Sequence, residues 1–272
     1  MNQKIEILNR NDNGSKKWNK KYIKKRFNIE NQENIYPLFI ADMDFKHSDL
    51  IIEEMKEIVL GDDDGYFDPQ EDYFESIVTW QKQVHNLDVI KDDIISANGT
   101  IAALHIAASA LSQGDNFLLL TPVYGVFKTL AENFGTMHTY DLIEDENHYS
   151  FEINDLEKTI LDNNIKTLLF CNPHNPSGKV WSNQELDSIV DVCKKNNVKI
   201  FSDEIHADLS LRGIKYKSMY EYTDVYDQII VSTSPNKSFN LSGLTTSYLL
   251  CSNTKWQEKI NEELLKYHIS LN

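Results

Sequence analysis

Residues 233–244 have the sequence TSPNKSFNLSGL and directly follow the apolar run 229–231. That run predicts a buried strand, which would place Lys237 just beyond the strand's carboxyl end. Ligands of open α/β sheets bind at such ends. Partial removal from water would lower the pKa of a lysine, and a neutral amine is a nucleophile towards aldehydes. A single lysine could equally lie at the surface and cap a carbonyl. The residues at the other strand ends are needed to distinguish these two roles of Lys237.

Short apolar runs alternate with amphipathic helical segments from residue 94 onwards. This alternation predicts an α/β fold with a mainly parallel central sheet covered by helices on both faces. The predicted strands contain residues 94–95, 117–120, 167–170, 198–201, 229–231 and 248–251. The predicted helices between them cover residues 102–111, 126–134, 156–161 and 183–196.

The clearest helix signal is in residues 183–196. Ser182 and Glu185 have the spacing of a capping box, and an apolar stripe follows. Further helices are predicted over residues 50–60, 73–85 and 255–265, whereas residues 1 to 35 predict an extended or weakly ordered arm. We predict an N-terminal segment, 1–45, and a large domain, 46–272.

Composition excludes several classes of function. The chain has 272 residues and a formal net charge of −15, which argues against a nucleic-acid partner because phosphate backbones are bound by basic surfaces. Its three cysteines form no C-x-x-C pair, which favours reduced thiols in a cytoplasmic protein. No apolar run approaches the roughly 20 residues of a membrane helix, and no signal peptide or metal site is predicted.

Polar residues follow five of the predicted strands, so we expect them to converge on one crevice. Gly99, Thr100 and Ile101 open a helix whose free N–H groups could hold a phosphate, although a plain turn and cap would look the same. Asp203 follows a buried strand, where a carboxylate needs a partner. It could face a protonated ring nitrogen or cap a helix.

Three more residues at these strand ends are candidates, each with a structural alternative. Tyr124 could stack on a planar ligand or simply pack in the core. Asn175 belongs to NPHNPSG, residues 172–178, a run dense in turn-forming residues. His206 could point into the same crevice or be a satisfied structural histidine. A phosphate cradle, a stacking ring, an acid and a lysine together are the parts that hold pyridoxal 5′-phosphate (PLP).

In this combination the residues resemble fold-type I PLP-dependent enzymes of the class I/II aminotransferase type, and more narrowly the MalY/PatB group of cystathionine β-lyases, also called cysteine-S-conjugate β-lyases. The resemblance implies a three-layer α/β/α large domain. The motifs that carry it are ADMDF (41–45), GY (65–66), PVY (122–124), CNPHNPSG (171–178), SDEIHAD (202–208) and KSFNLSGL (237–244).

The resemblance also implies a role for each candidate. Lys237 would form the Schiff base and later take the substrate's Cα proton. Asp203 would pair with the ring nitrogen, with Asn175 and His206 near the 3′-oxygen and Tyr124 stacked on the ring. The phosphate would be held by Gly99, Thr100, Ile101 and Ser234, and by Tyr66 from the neighbouring subunit of a homodimer.

The chain departs from the family pattern in two places. Many aminotransferases of this superfamily carry an arginine two residues after the glycine that follows the lysine, whereas here Gly243 is followed by Leu244 and Thr245. This favours the β-lyase group. Family members are also longer, so we expect a truncation that removes the small C-terminal domain and its carboxylate-binding arginine. Arg10, Arg26 and Arg212 do not match that role.

Three hypotheses follow. The first is PLP-dependent β-elimination of cystathionine or another cysteine S-conjugate to a thiol, pyruvate and ammonia, with activity impaired by truncation. The second is an aminotransferase of the same fold. The third is an inactive remnant or a regulatory binding protein.

Overall fold

The computed structural model describes residues 6–11, 13–61, 68–146 and 148–269. The chain divides into two compact units. One consists of Met1–Tyr66 with Phe239–Ser242, and the other of Phe67–Ser238 with Gly243–Asn272. The division at residue 45 that we derived from the sequence stays a prediction.

The first unit contains helices α1 (Lys20–Phe27) and α2 (Asp49–Leu60). The expectation that residues 1 to 35 are extended or weakly ordered is wrong for α1. Asn19 caps this helix by accepting a hydrogen bond from the N–H of Tyr22, and Asn28 ends it in the left-handed conformation with φ 55°. Asparagine suits both cap positions, but among the many polar residues of this segment the two caps do not stand out.

Ion pairs join the start of the chain to the ADMDF segment within this unit. Lys17 Nζ and Trp18 Nε1 each donate to the Asp44 carboxylate at 2.8 Å. Arg10 forms an ion pair of 2.8 Å with Asp42. Burial acts to raise the pKa of Asp44, but the hydrogen bonds from Lys17 and Trp18 keep it below its ordinary value. The two acids of ADMDF therefore hold the N-terminal residues in place.

The second unit carries the central sheet. Its helices are α3 (Glu71–His85), α4 (Thr100–Leu111), α5 (Val126–Phe134), α6 (Ile153–Asp162), α7 (Asn183–Lys195) and α8 (Thr254–Lys266). Its strands are β1 (Ile94–Ala97), β2 (Asp115–Thr121), β3 (Gly135–Asp141), β4 (Ile143–Asp145), β5 (His148–Ser150), β6 (Thr167–Cys171), β7 (Lys199–Asp203), β8 (Ile229–Thr233) and β9 (Ser247–Leu250).

Seven strands form the central sheet in the order β1-β9-β8-β7-β6-β2-β3. Strand β9 is antiparallel to both of its neighbours, and the other pairs are parallel. Strands β1, β2, β6, β7 and β8 consequently run in one direction. Their carboxyl ends meet at one edge of the sheet, as the sequence predicted.

Alternate residues of the sheet pack against helices on opposite faces. On one face, Leu118, Leu168 and Ile200 share a cluster with side chains of α3, α6 and α7. On the other, Phe117 and Phe201 share a cluster with side chains of α4, α5 and α8. These sheet residues are almost fully buried. The predicted three-layer α/β/α fold is therefore confirmed.

The strongest local prediction is also confirmed. The Ser182 hydroxyl accepts from the Glu185 N–H, and the Glu185 carboxylate accepts from the Ser182 N–H, which completes the capping box of α7. The three cysteines are free and buried. Over the described ranges, no helix combines the length and apolarity that crossing a bilayer requires. The same ranges contain no cluster of three or more His, Cys, Asp or Glu suited to a metal ion.

Candidate active site

Lys237 lies in the turn that follows β8 and is partly buried. Asp203 ends the neighbouring strand β7, where it is in register with Ser232. The positive charge of Lys237 opposes the rise in the pKa of Asp203 and adds to the fall in the pKa of His206, so both groups lie within electrostatic reach of Lys237. Neighbouring strand ends thus bring an amine, a carboxyl and an imidazole to one place.

The Asp203 carboxyl is only 4% exposed. Burial raises its pKa to about 7, and the adjacent Glu204 charge acts in the same direction. The Ile205 N–H, which donates to Oδ1 at 3.1 Å, and the charge of Lys237 only partly offset this effect. Buried carboxyl groups with a strongly raised pKa are characteristic of functional sites. A bound cation would stabilise the ionised form of such a group.

Tyr124 follows β2 at the same edge and is 39% exposed. Burial raises the pKa of its phenol, and the charge of Asp203 adds to the rise, which places the ring near that carboxylate. The ring meets Phe127 edge to face, with centroids 6.3 Å apart. Tyr124 is therefore braced from one side and accessible to a ligand.

The start of α4 has the features of an anion site. Gly99 adopts φ 94°, in the region that favours glycine, immediately before the first helical residue, Thr100. A Cβ added to Gly99 would meet no atom within 4 Å. The Ser232 hydroxyl donates to the Thr100 carbonyl at 3.1 Å and ties the helix to β8. The N–H groups of Thr100 and Ile101 belong to a first helical turn, which suits a phosphate group.

The 171–178 loop contains cis peptide bonds at Asn172–Pro173 and Asn175–Pro176. The Asn175 N–H donates to Cys171 Sγ at 3.4 Å, and the Gly178 N–H donates to the His174 carbonyl at 2.8 Å. Asn175 and His206 both line a cleft of about 600 Å³. Burial and the charge of Lys237 lower the pKa of His206, which favours its neutral form.

All the predicted phosphate contacts stay predictions, and those of Ser234 and Tyr66 have the least support from the structure. The Ser234 hydroxyl donates to the Thr246 carbonyl at 2.6 Å and accepts from the Asn236 N–H at 3.0 Å. It would have to rotate before it could donate to a phosphate. Tyr66 lies outside the described residues.

Two acids near the site, the buried Glu204 and the half-buried Asp208, have no local sequence signal for their role. The Glu204 carboxylate accepts hydrogen bonds from the Ser202 hydroxyl at 2.9 Å, the Met219 N–H at 2.9 Å, the Ser218 hydroxyl at 2.6 Å and the Tyr216 hydroxyl. Asp208 contacts the hydroxyl of Ser238, the residue after Lys237. Both acids belong to the SDEIHAD segment, but their partners come from parts of the chain that local patterns do not connect to it.

The chain resembles known proteins in both sequence and fold. The chain is 32% identical to cystathionine beta-lyase PatB of Bacillus subtilis over 217 residues, which are 79% of this chain and 56% of PatB. Cystalysin from Treponema denticola, solved with PLP, superposes with a TM-score of 0.87 at 32% identity. That match covers 95% of this chain and 66% of cystalysin.

A PLP-bound C–S lyase from Staphylococcus hominis also superposes with a TM-score of 0.87, at 27% identity. This match covers 98% of the present chain and 66% of the lyase. The chain thus spans only about 56% of the length of PatB. The sequence pattern of aminotransferase class I and II, a PLP-dependent family, matches residues 37–268. The chain therefore belongs to the aminotransferase class I and II family.

Proposed function

We propose that the chain binds PLP through Lys237 and serves β-elimination from cysteine S-conjugates such as cystathionine. In this reaction one water is consumed, and a thiol, pyruvate and ammonia are released. The observation that carries the proposal is the convergence of Lys237 and Asp203 at the sheet edge that also presents the start of α4. Similarity to PatB and to the Staphylococcus hominis C–S lyase supports the choice of reaction.

The donor set fits PLP. The open space at Gly99 and the first-turn N–H groups of Thr100 and Ile101 suit its phosphate. The buried Asp203 carboxyl suits the ring nitrogen, because a protonated nitrogen would offset the burial that disfavours the carboxylate. Tyr124 would stack on the ring. Asn175 and His206 would face the 3′-oxygen; the cleft that both line is formed mainly by residues 173–180 and 209–211 and is not lined by Lys237 or Asp203.

When bound, PLP supplies an electron-accepting ring that stabilises negative charge at the substrate's Cα. Lys237 Nζ accepts the Cα proton, which its four-carbon stem allows it to reach from a fixed backbone. Asp203 keeps the proton on the ring nitrogen by remaining ionised. By holding the Cα proton, Lys237 would leave an electron pair at Cα that could form a Cα–Cβ double bond as the Cβ–S bond breaks and the sulfur departs as a thiolate.

Transamination is the competing function, since the family includes aminotransferases. Both reactions begin with removal of the Cα proton, and they diverge in where the electrons go. The Leu244-Thr245 pair, in place of the arginine of many aminotransferases, supports elimination.

Borohydride trapping tests the attachment of the cofactor. We expect the chain incubated with PLP to absorb visible light and, after reduction, to retain one PLP on the peptide that contains Lys237. Lys237→Ala should lose this label. Lys194→Ala, which removes an exposed lysine of α7, should keep it. An unlabelled Lys237 peptide in the wild-type chain would refute the assignment.

Product analysis tests the reaction. Release of pyruvate and ammonia from cystathionine without any added keto acid is expected for elimination. Strict dependence on a keto acid would instead assign the chain as an aminotransferase. Absence of both activities, together with normal labelling of Lys237, would favour the binding or remnant hypothesis.

The proposal includes a homodimer. Helix α2, described over its whole length, buries none of its side chains. It exposes apolar residues that include Leu50 and Leu60, at 78% and 77%. Apolar surface of this kind is typical of protein interfaces. Sedimentation velocity should give a dimer, and Leu60→Asp should shift it to monomer; a monomeric wild-type chain would contradict this part.

A further inference from the structure

Both sequence neighbours of Lys237 are tethered by hydrogen bonds. On one side, the Asn236 N–H donates to Ser234 Oγ at 3.0 Å, and Asn236 Nδ2 donates to the Thr246 carbonyl at 3.0 Å. On the other side, the Ser238 hydroxyl donates to Asp208 Oδ2. The backbone of Lys237 is thus fixed from two directions.

Asp208 is itself held by α3. His85 Nε2 contacts Asp208 Oδ1 at 2.5 Å, and Trp80 Nε1 donates to the same oxygen at 3.3 Å. The side chains of His85 and Asp208 are only 7% and 14% exposed. Burial acts to raise the pKa of Asp208, but the hydrogen bonds from His85 and Ser238 keep it below its ordinary value. Both oxygens of an ionised carboxylate are therefore occupied, which leaves it little freedom to turn.

We infer that Asp208 is a positioning residue, which fixes Lys237 through Ser238 and is itself oriented by His85 and Trp80. The inference rests on the proposed function, in which Lys237 Nζ condenses with the aldehyde of PLP and releases one water. A lysine side chain has four rotatable bonds, so its amine is aimed only if its backbone is fixed. Holding reacting groups in place can account for several orders of magnitude in rate.

The competing explanation is purely structural, with the His85–Asp208 contact merely securing α3. Ser238 separates the two explanations. Its hydroxyl connects Asp208 to the residue next to Lys237, whereas the contacts of Asp208 with His85 and Trp80 use the other oxygen. Ser238→Ala removes the tether and leaves those contacts intact, and Ser238→Thr keeps the hydroxyl.

The test measures how fast PLP with cyanoborohydride labels Lys237 in the folded chain, quantified by peptide mass spectrometry, with circular dichroism and thermal unfolding as controls. We expect Ser238→Ala to slow labelling by about fivefold or more. Ser238→Thr should stay within about twofold of wild type, and Asp208→Asn should slow labelling as well. The double variant Ser238→Ala/Asp208→Asn should be labelled no more slowly than the slower single variant, because the two substitutions disrupt the same hydrogen bond.

Asp187→Asn is the matched control. Asp187 lies on α7, and its Oδ1 accepts a hydrogen bond of 2.6 Å from the Tyr222 hydroxyl. Asp187→Asn therefore also converts a hydrogen-bonded aspartate to asparagine, but away from Lys237. It should leave the labelling rate unchanged. The inference would be overturned if Ser238→Ala were labelled as fast as the wild type, or if Ser238→Thr were labelled as slowly as Ser238→Ala. Either result would leave the proposed function intact. If Asp208→Asn does not fold, the two serine variants decide alone. An unlabelled wild-type Lys237 would overturn the proposed function first.

Discussion

Burial raises the pKa of Asp203 to about 7, even though the positive charge of Lys237 acts in the opposite direction. Asp203 ends β7, and Lys237 lies in the turn that follows the neighbouring strand β8, so the backbone of one sheet sets this balance. Without a further cation beside it, the Asp203 carboxylate is costly to ionise. The site is thus arranged to favour a positively charged partner.

Asp203→Asn is expected to change the pH dependence of stability of the cofactor-free chain. The folded-state pKa lies above the unfolded value of 3.8, so the folded chain binds the extra proton between pH 4 and about 7. Wild-type stability should therefore fall relative to the variant as pH rises through this window, by up to about 1.4 kcal/mol per pH unit. Urea unfolding at a series of pH values measures the difference. Parallel stability curves would contradict the shift.

His206 is expected to stay neutral at a pH where an ordinary histidine is half protonated. Burial lowers its pKa below 6.5, and the charge of Lys237 lowers it further. Because the unfolded chain takes up this proton more readily, the histidine destabilises the folded state as pH falls below 6.5. NMR titration of the imidazole Cε1–H signal, assigned with a His206→Gln variant, should give a midpoint below 6.5. A midpoint at or above that value would show that His206 is solvated or paired with an acid.

Tyr124 is expected to contribute to PLP affinity through its ring. Tyr124→Leu should weaken PLP binding by about three- to tenfold, the range typical of an aromatic stacking contact. Tyr124→Phe keeps the ring and serves as the matched control. Equilibrium dialysis with PLP measures both variants. Equal losses for leucine and phenylalanine would transfer the role from the ring to the hydroxyl.

Gly135 is expected to tolerate no side chain. A Cβ at this position would lie 1.9 Å from the Asp115 carbonyl oxygen, which is backbone and cannot move aside. Gly135→Ala should destabilise the chain by about 1–3 kcal/mol through overpacking. Gly125→Ala is the control, since a Cβ there would meet nothing within 4 Å. Chemical denaturation that finds the two variants equally stable would refute the close approach.

Local signals account for most of the helices and strands that were predicted. Helix α5 occupies the predicted range 126–134, and α7 begins at the predicted residue after its Ser182 cap. Each predicted apolar run lies in or overlaps an observed strand. Such elements depend on residues a few positions apart, which a sequence displays directly.

Pairing over long distances was harder to predict. Strand β3 was not predicted because it lies at the edge of the sheet, where its side chains are half-buried or exposed, and no apolar run marks it. The reversed direction of β9 also has no local signature, because it depends on which strands flank it. A periodicity analysis cannot supply either piece of information.

The same distinction applies to the site. The placement of Lys237, Asp203 and His206 within electrostatic reach followed from their positions at strand ends. His85 and Asp208, which contact each other, lie 123 residues apart in the sequence, and no local sequence pattern predicts their contact. Strand ends can therefore be predicted from sequence, whereas the buried supports behind them require the fold.

The insertion of β9 between β1 and β8 has a consequence for biosynthesis. Among the described strands, β1, which leads into Gly99 and α4, pairs with β9 alone. During translation β1 must wait for residues 247–250 to leave the ribosome, long after its own synthesis. Before then the Ser232 hydroxyl of β8 can already hold the Thr100 carbonyl at the start of α4, and the β1 side of this sheet edge is secured last.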